Sequence, residues 1–168
     1  MKRQQFLKQS AILGTSLFLS PQLFSQENPK VLFTEDEIYE FVAAAHASLE
    51  KTQKIVEEKP LIINATNQFV KGDFETAIGG ASHMGRKDIV LMLVERGARL
   101  DPFNLTCLGQ VEMVKQLIGL YPQYLKAYGP HGFTLLHHAK VVKLNDFASW
   151  IIDQGLEIER YPDIFEAP

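Results

Sequence analysis

Three landmarks of this chain recur at a single spacing. Thr76 and Thr134, Ala81 and Ala139, and Gly97 and Gly155 share one offset, 58 in every pair. A constant offset at a threonine, a small residue and a glycine means that one unit of structure has been written twice. Internal repetition of this kind constrains a fold more than any single motif does. Between the two copies, Leu108 to Ile118 matches the stretch from Met84 onward at an offset of 24, and the next unit follows at an offset of 34. An outer copy precedes the clearest one at an offset of 37, with Ala45-His46-Ala47-Ser48 followed by Thr52, Ile55-Val56 and Pro60. The units read as short helical pieces with no alternating strand pattern. Thr34 and Glu37 form a Thr-x-x-Glu capping box that opens a helix running to about Ala47. A pair of short helices cannot bury its apolar face alone, so successive pairs are expected to stack. Gly97 and Gly155 match the left-handed position that closes a helix.

The residues Gly72 to Asp101 resemble an ankyrin repeat. Thr76, Ala81, Gly85, Ile89-Val90, Met92-Leu93 and Gly97-Ala98 follow one another in that family's order, with Ala77-Ile78-Gly79 in place of its Pro-Leu-His. The later segment from Gly132 to Ala139 is similar to the same motif, with Leu135 where proline is usual. The resemblance implies an all-α fold, an ankyrin-type α-solenoid of about four helix-pair repeats over residues 34–168. One of them would be trimmed, between Pro102 and Gln123. The strings GDFETA, GASHMGRKDI and GPHG are also similar to a group of small exported bacterial ankyrin-type proteins, a likeness that implies no reaction.

Residues 1–25 read as an export signal. Lys2, Arg3 and Lys8 precede the apolar run Ala11 to Ser20, Pro21 ends it, and Ser25 offers a small residue for cleavage. Ten apolar residues would span only about 15 Å as a helix, too short to anchor the chain in a bilayer. Arg3-Gln4-Gln5-Phe6-Leu7-Lys8 is similar to a twin-arginine signal with Gln4 in place of the second arginine; ordinary secretion is the other route. A linker over 26–33 follows, and the destination expected is periplasmic or secreted. Without the signal, the chain keeps 14 basic against 20 acidic side chains. That balance excludes the basic field a nucleic-acid partner requires.

The chemistry legible in one dimension is sparse. Cys107 is the only cysteine, so no intrachain disulfide and no thiolate zinc site can form, and its apolar neighbours suit a buried thiol. No nucleophile elbow, phosphate loop or dinucleotide fingerprint is present. The acid pairs Asp73/Glu75 and Glu157/Glu159 would suit a glycosidase only across a closed cleft. The expectation is therefore no catalytic residue, no cofactor and no metal. His46 and His83 occupy one repeat position, so their rings would form a ladder on the inner face. With an acid from Asn67–Glu75, such as Asp73, they could hold a divalent cation, but a solvated pair is the simpler reading. His137 would satisfy backbone groups between units, His138 would be exposed, and His131 would project from a Pro-Gly turn.

What remains is a surface. The expected role is protein–protein interaction by a monomer with an unidentified protein partner, through a concave face and its loop tips. Asn67, Phe69, Lys71, Asp73, Phe74, His83, Phe103, Asn104 and His131 are the residues expected to carry it, with the phenylalanines as anchors. Two alternatives stay open: an accessory or protective factor for an exported enzyme, and a small metal-binding protein or hydrolase using His46 and His83.

Overall fold

The computed structural model describes residues 32–162. The expected export signal and most of the linker lie outside the described residues. No helix among the described residues is long and apolar enough to cross a membrane.

Helix α1 (Glu35–Ala45) starts where its sequence says it should. The Thr34 side chain accepts a hydrogen bond from the Glu37 amide, and the Glu37 carboxylate accepts one from the Thr34 amide. Helix α2 (Leu49–Glu58) is capped by Ser48, and a 3-10 turn over Pro60–Asn64 follows it. Two strands come next, β1 (Thr66–Val70) and β2 (Asp73–Thr76), paired antiparallel with Thr66 opposite Thr76 and Val70 opposite Asp73. Lys71 and Gly72 make the turn between them, and Gly72 sits at φ 89°, a conformation open to glycine at little cost. Then come α3 (Ala77–His83), α4 (Lys87–Glu95), α5 (Pro102–Cys107), α6 (Val111–Leu120), α7 (Leu135–Val141) and α8 (Asn145–Asp153).

The expected all-α ankyrin solenoid is corrected by this architecture. A two-stranded antiparallel sheet interrupts the helices, and the chain is not a regular repeat stack. The hairpin separates α2 from α3, nothing comparable precedes α5, and two 3-10 turns separate α6 from α7. The physical reason lies in residues 66–76. Thr66, Phe69, Val70 and Thr76 favour extended backbone, and the Lys71-Gly72 turn lets the segment satisfy its own backbone groups as a ladder. A plain loop would have left those groups to solvent.

Packing runs along the first helix of each pair, with α1 against α3, α3 against α5 and α5 against α7. No hairpin precedes α5, and α3 also reaches α7 directly. That close approach brings the Pro130–Gly132 turn down onto β2. Two apolar clusters fill the interior, one around Phe41, Ile62, Ile89 and Leu93 and one around Val114, Leu135, Leu136 and Ile151. Gly85 and Gly109 adopt φ of 69° and 78°, and Lys143 adopts 62° at the equivalent position between α7 and α8. A lysine there takes on left-handed strain that the two glycines avoid.

His138 is 1% exposed, not on the surface as the sequence suggests. Its Nδ1 lies 2.8 Å from the Thr134 carbonyl oxygen and its ring packs on Phe103. Burial pushes its pKa down to about 3, against the help of that carbonyl. The unfolded chain takes up this proton near pH 6.5 and the folded chain refuses it until about pH 3, so this contribution to stability is complete above pH 6.5 and lost as pH falls. Between pH 7 and 5 the loss amounts to about 2 kcal/mol. His138→Asn, which keeps a donor near the Thr134 carbonyl, should flatten the unfolding free energy over that window by this amount in urea titrations. Parallel pH profiles for the two proteins would refute the assignment.

Candidate metal centre

The centre begins with the alternation of β2. Asp73 and Glu75 point inward, 3% and 0% exposed, while Phe74 between them points outward at 58%. Two buried carboxylates on one four-residue strand need compensating charge or donors. Neither oxygen of Glu75 has a donor in good hydrogen-bond alignment. They are nonetheless surrounded by imidazole nitrogens. His83 Nε2 lies 2.9 Å from Oε1, and His46 Nε2 and His131 Nε2 lie 3.4 and 3.5 Å from Oε2. The nitrogens of His46 and His83 are themselves 3.1 Å apart. One donor atom from each of His46, Glu75, His83 and His131 lies within 4.8 Å of every other.

Each ligand comes from a different element. His46 caps the C-terminus of α1, Glu75 is on β2, His83 ends α3, and His131 is in the 3-10 turn over Pro130–Gly132. His46 Nδ1 lies 2.9 Å from the Val42 carbonyl oxygen. A carbonyl can only accept, so a proton sits on Nδ1, and in the neutral ring the Nε2 lone pair is then free for a metal. His131 is fixed more firmly. Its amide donates to Asp73 Oδ1 at 2.9 Å, and its Nδ1 lies 2.6 Å from Asp73 Oδ2. The carboxylate selects the same tautomer, again leaving Nε2 bare. His131 has φ 56°, and Arg160 Nε donates to its carbonyl at 2.7 Å. Left-handed backbone at a non-glycine residue persists where neighbours over-determine it. His137 Nε2 lies 2.8 Å from the His83 carbonyl oxygen and its ring stacks on Phe133 at 4.0 Å.

The electrostatics are those of a buried anion among imidazoles. Burial pushes the Glu75 carboxyl up, but His46 and His83 outweigh burial and hold its pKa at about 2. The Glu75 carboxylate in turn raises His46, against the opposing effect of burial. Phe69 lies edge-on to His46 and His131, with ring centroids 6.5 and 5.3 Å away, and Tyr39 packs against Phe69. Phe133 stacks on His83 at 5.0 Å. The centre is thus ringed by aromatic side chains.

The residues expected to form one binding face divide into three groups. Asp73, His83 and His131 converge inside the cluster, and Phe69 covers it. Asn67 is half-buried on β1, while Lys71 and Phe74 stay exposed on the hairpin. Phe103 and Asn104 are corrected: they are 8% and 0% exposed, Phe103 against His138 and Asn104 donating to Ser82 Oγ. His131 is likewise not a projecting tip, since its ring turns inward. The expectation of no metal meets four convergent donors. The inward turn of His131 was missed, and Glu75 lay within the stretch expected to supply an acid although Asp73 was the acid named. The alternation of acid, aromatic and acid in Asp73-Phe74-Glu75 is the sequence signal that places both acids on one face of a strand.

Gly80 shows how tightly the pocket is fitted. A Cβ there would lie 2.6 Å from His46 Cε1 and 2.9 Å from Nδ1. Gly80→Ala should therefore push the His46 ring aside while improving the helix by up to about 1 kcal/mol. We expect the variant to be no less stable without metal and to bind metal about tenfold or more weakly, a misplacement comparable to losing an orienting partner. Wild-type affinity in calorimetry would contradict the fit.

No protein-family model and no curated protein matches this chain.

Proposed function

We propose that the protein binds one divalent transition-metal ion, of the zinc class, through His46 Nε2, His83 Nε2, His131 Nε2 and the Glu75 carboxylate. The observation that carries this reading is Glu75: a carboxylate shut away from water and faced by three imidazole nitrogens, with no well-aligned hydrogen bond to any of them. A buried anion of this kind is costly unless a cation meets it. With metal–ligand bonds of about 2.0–2.2 Å, adjacent donors stand about 2.9 Å apart at right angles and about 3.4 Å apart at tetrahedral angles. Four of the separations among these atoms, 2.9, 3.1, 3.4 and 3.5 Å, span that range, and every donor lies within 4.8 Å of the others. Imidazole-rich sets select zinc and its transition-metal neighbours over calcium or magnesium.

The outer contacts support the same reading. Asp73 on His131 Nδ1 and the Val42 carbonyl on His46 Nδ1 are the partners that orient metal-bound histidines and set their tautomers. Titration of the purified, chelator-treated full chain with Zn2+ in a calorimeter, followed by elemental analysis after desalting, tests the proposal. One ion per chain is expected, with retention lost in His83→Ala. Absence of stoichiometric binding of Zn2+, Co2+ and Ni2+ would overturn it.

A further inference from the structure

The metal centre has a closed floor and an open rim. Glu75 is 0% exposed and the His83 side chain 7%, whereas the His46 and His131 side chains are 23% and 24% exposed. Among the described residues, the side of the centre open to solvent is therefore that of His46 and His131, and Phe69 lies against both of those rings. The separations also crowd the donors toward the floor. Edges of 2.9 and 3.1 Å at His83 correspond to angles of about 87–95° at an ion with bonds of about 2.1 Å, below the tetrahedral angle, while the 3.4 and 3.5 Å edges on the rim side stay near it. Both Glu75 oxygens take part, Oε1 toward His83 and Oε2 toward His46 and His131. Donors compressed in this way leave part of the coordination sphere uncovered on the rim side, as centres that admit an outside ligand do and closed structural centres do not.

Resting on the metal-binding reading, we infer that the centre takes a further, exchangeable ligand at this rim: a small monocarboxylate whose apolar tail lies along Phe69 and Tyr39. The charge follows from the ligands. A divalent ion with three neutral imidazoles and one carboxylate keeps a net charge of +1 among its own donors, which the buried Asp73 carboxylate on His131 offsets one shell further out. The ion itself and not a wider positive field therefore attracts an anionic head, and a single charge suits it. The apolar half follows from the walls. Phe69 is 36% exposed and Tyr39 54%, their rings 5.9 Å apart, so both present aromatic surface beside the opening. A ligand with a carboxylate head and an aryl body matches both demands.

The test uses the full chain loaded with Co2+, whose visible absorption reports coordination number, titrated with acetate and with benzoate. Both should shift the spectrum saturably, and benzoate should half-saturate at about fivefold lower concentration because of the ring contact. Phe69→Ala, which removes no metal ligand, should retain one Co2+ per chain and lose most of the difference between the two acids. A spectrum unmoved by either acid up to about 100-fold above the acetate level that binds ordinary open cobalt sites would overturn the exchangeable position and leave metal binding intact. Equal affinity for the two acids, or a Phe69→Ala profile like that of wild type, would overturn the aromatic wall. Failure of Co2+ to bind at all would instead sink the metal-binding reading on which this rests.

Discussion

Saturating Zn2+ should raise the melting temperature of this protein by roughly 8–16 °C, and Glu75→Gln should abolish most of that rise. The size follows from linkage: a ligand at about a thousand times its dissociation constant stabilises the folded state by about 4 kcal/mol if the unfolded chain does not bind it. For a domain of this length each kcal/mol moves the transition by roughly 2–4 °C. The four donors are spread from residue 46 to residue 131 and meet only after α1, the hairpin, α3 and the Pro130–Gly132 turn have docked. Binding energy at the centre is therefore largely folding energy. Glu75→Gln removes the negative ligand while keeping the shape, and it also removes the attraction that holds His46 above its ordinary pKa. Because the attraction of the carboxylate for His46 and His83 also steadies the metal-free fold, the metal-free variant should melt somewhat below the metal-free wild type. The two effects separate when each protein is scanned with and without Zn2+. A wild-type melting curve indifferent to Zn2+, Co2+ and Ni2+ would contradict the prediction.

Much of the helical framework is legible in the sequence because it depends on neighbours close along the chain. The Thr34 cap, the glycines at 97 and 155 and the short helix after Pro102 are all local events, and each appears where its residues indicate. The hairpin is not local in that sense. Strand β1 is exposed at four of five positions, so it lacks the alternation of apolar residues by which a half-buried strand is recognised. The pairing of His46 with His83 follows from the offset of 37, since equivalent positions on successive helices stand side by side. The third histidine does not. His131 reaches the centre because no hairpin precedes α5, which leaves the Pro130–Gly132 turn free to pack on β2. That is a tertiary consequence of a trimmed unit, and nothing within residues 129–132 announces it. Gly79, whose Cβ would meet Pro130 at 3.3 Å, belongs to the same close approach. The acids are an intermediate case. Asp73 and Glu75 read in sequence as an acid pair in a loop, one of which could join His46 and His83, and the strand register turns both of them inward.

Asp73→Asn should weaken metal binding about 10- to 100-fold although Asp73 stands outside the donor set. The carboxylate accepts from His131 twice, from the backbone amide through Oδ1 and from Nδ1 through Oδ2. Because a carboxylate has no proton to give, the imidazole proton is held on Nδ1 and the Nε2 lone pair faces Glu75 and the ion. An asparagine can keep the first contact through its carbonyl oxygen, which preserves the left-handed turn at His131. Its amide then faces Nδ1 as a donor and drives the imidazole proton to Nε2, where the metal must bind. The variant should thus fold and hold its turn, and lose affinity through the wrong tautomer. Two readouts distinguish this from simple loosening of the turn. Nitrogen-15 NMR of the metal-free protein should show His131 moving from the Nδ1–H to the Nε2–H form. Asp73→Ala, which leaves the ring free to choose, should bind metal more tightly than Asp73→Asn despite losing both contacts. If alanine is the weaker of the two, Asp73 acts by bracing the turn and not by selecting the tautomer.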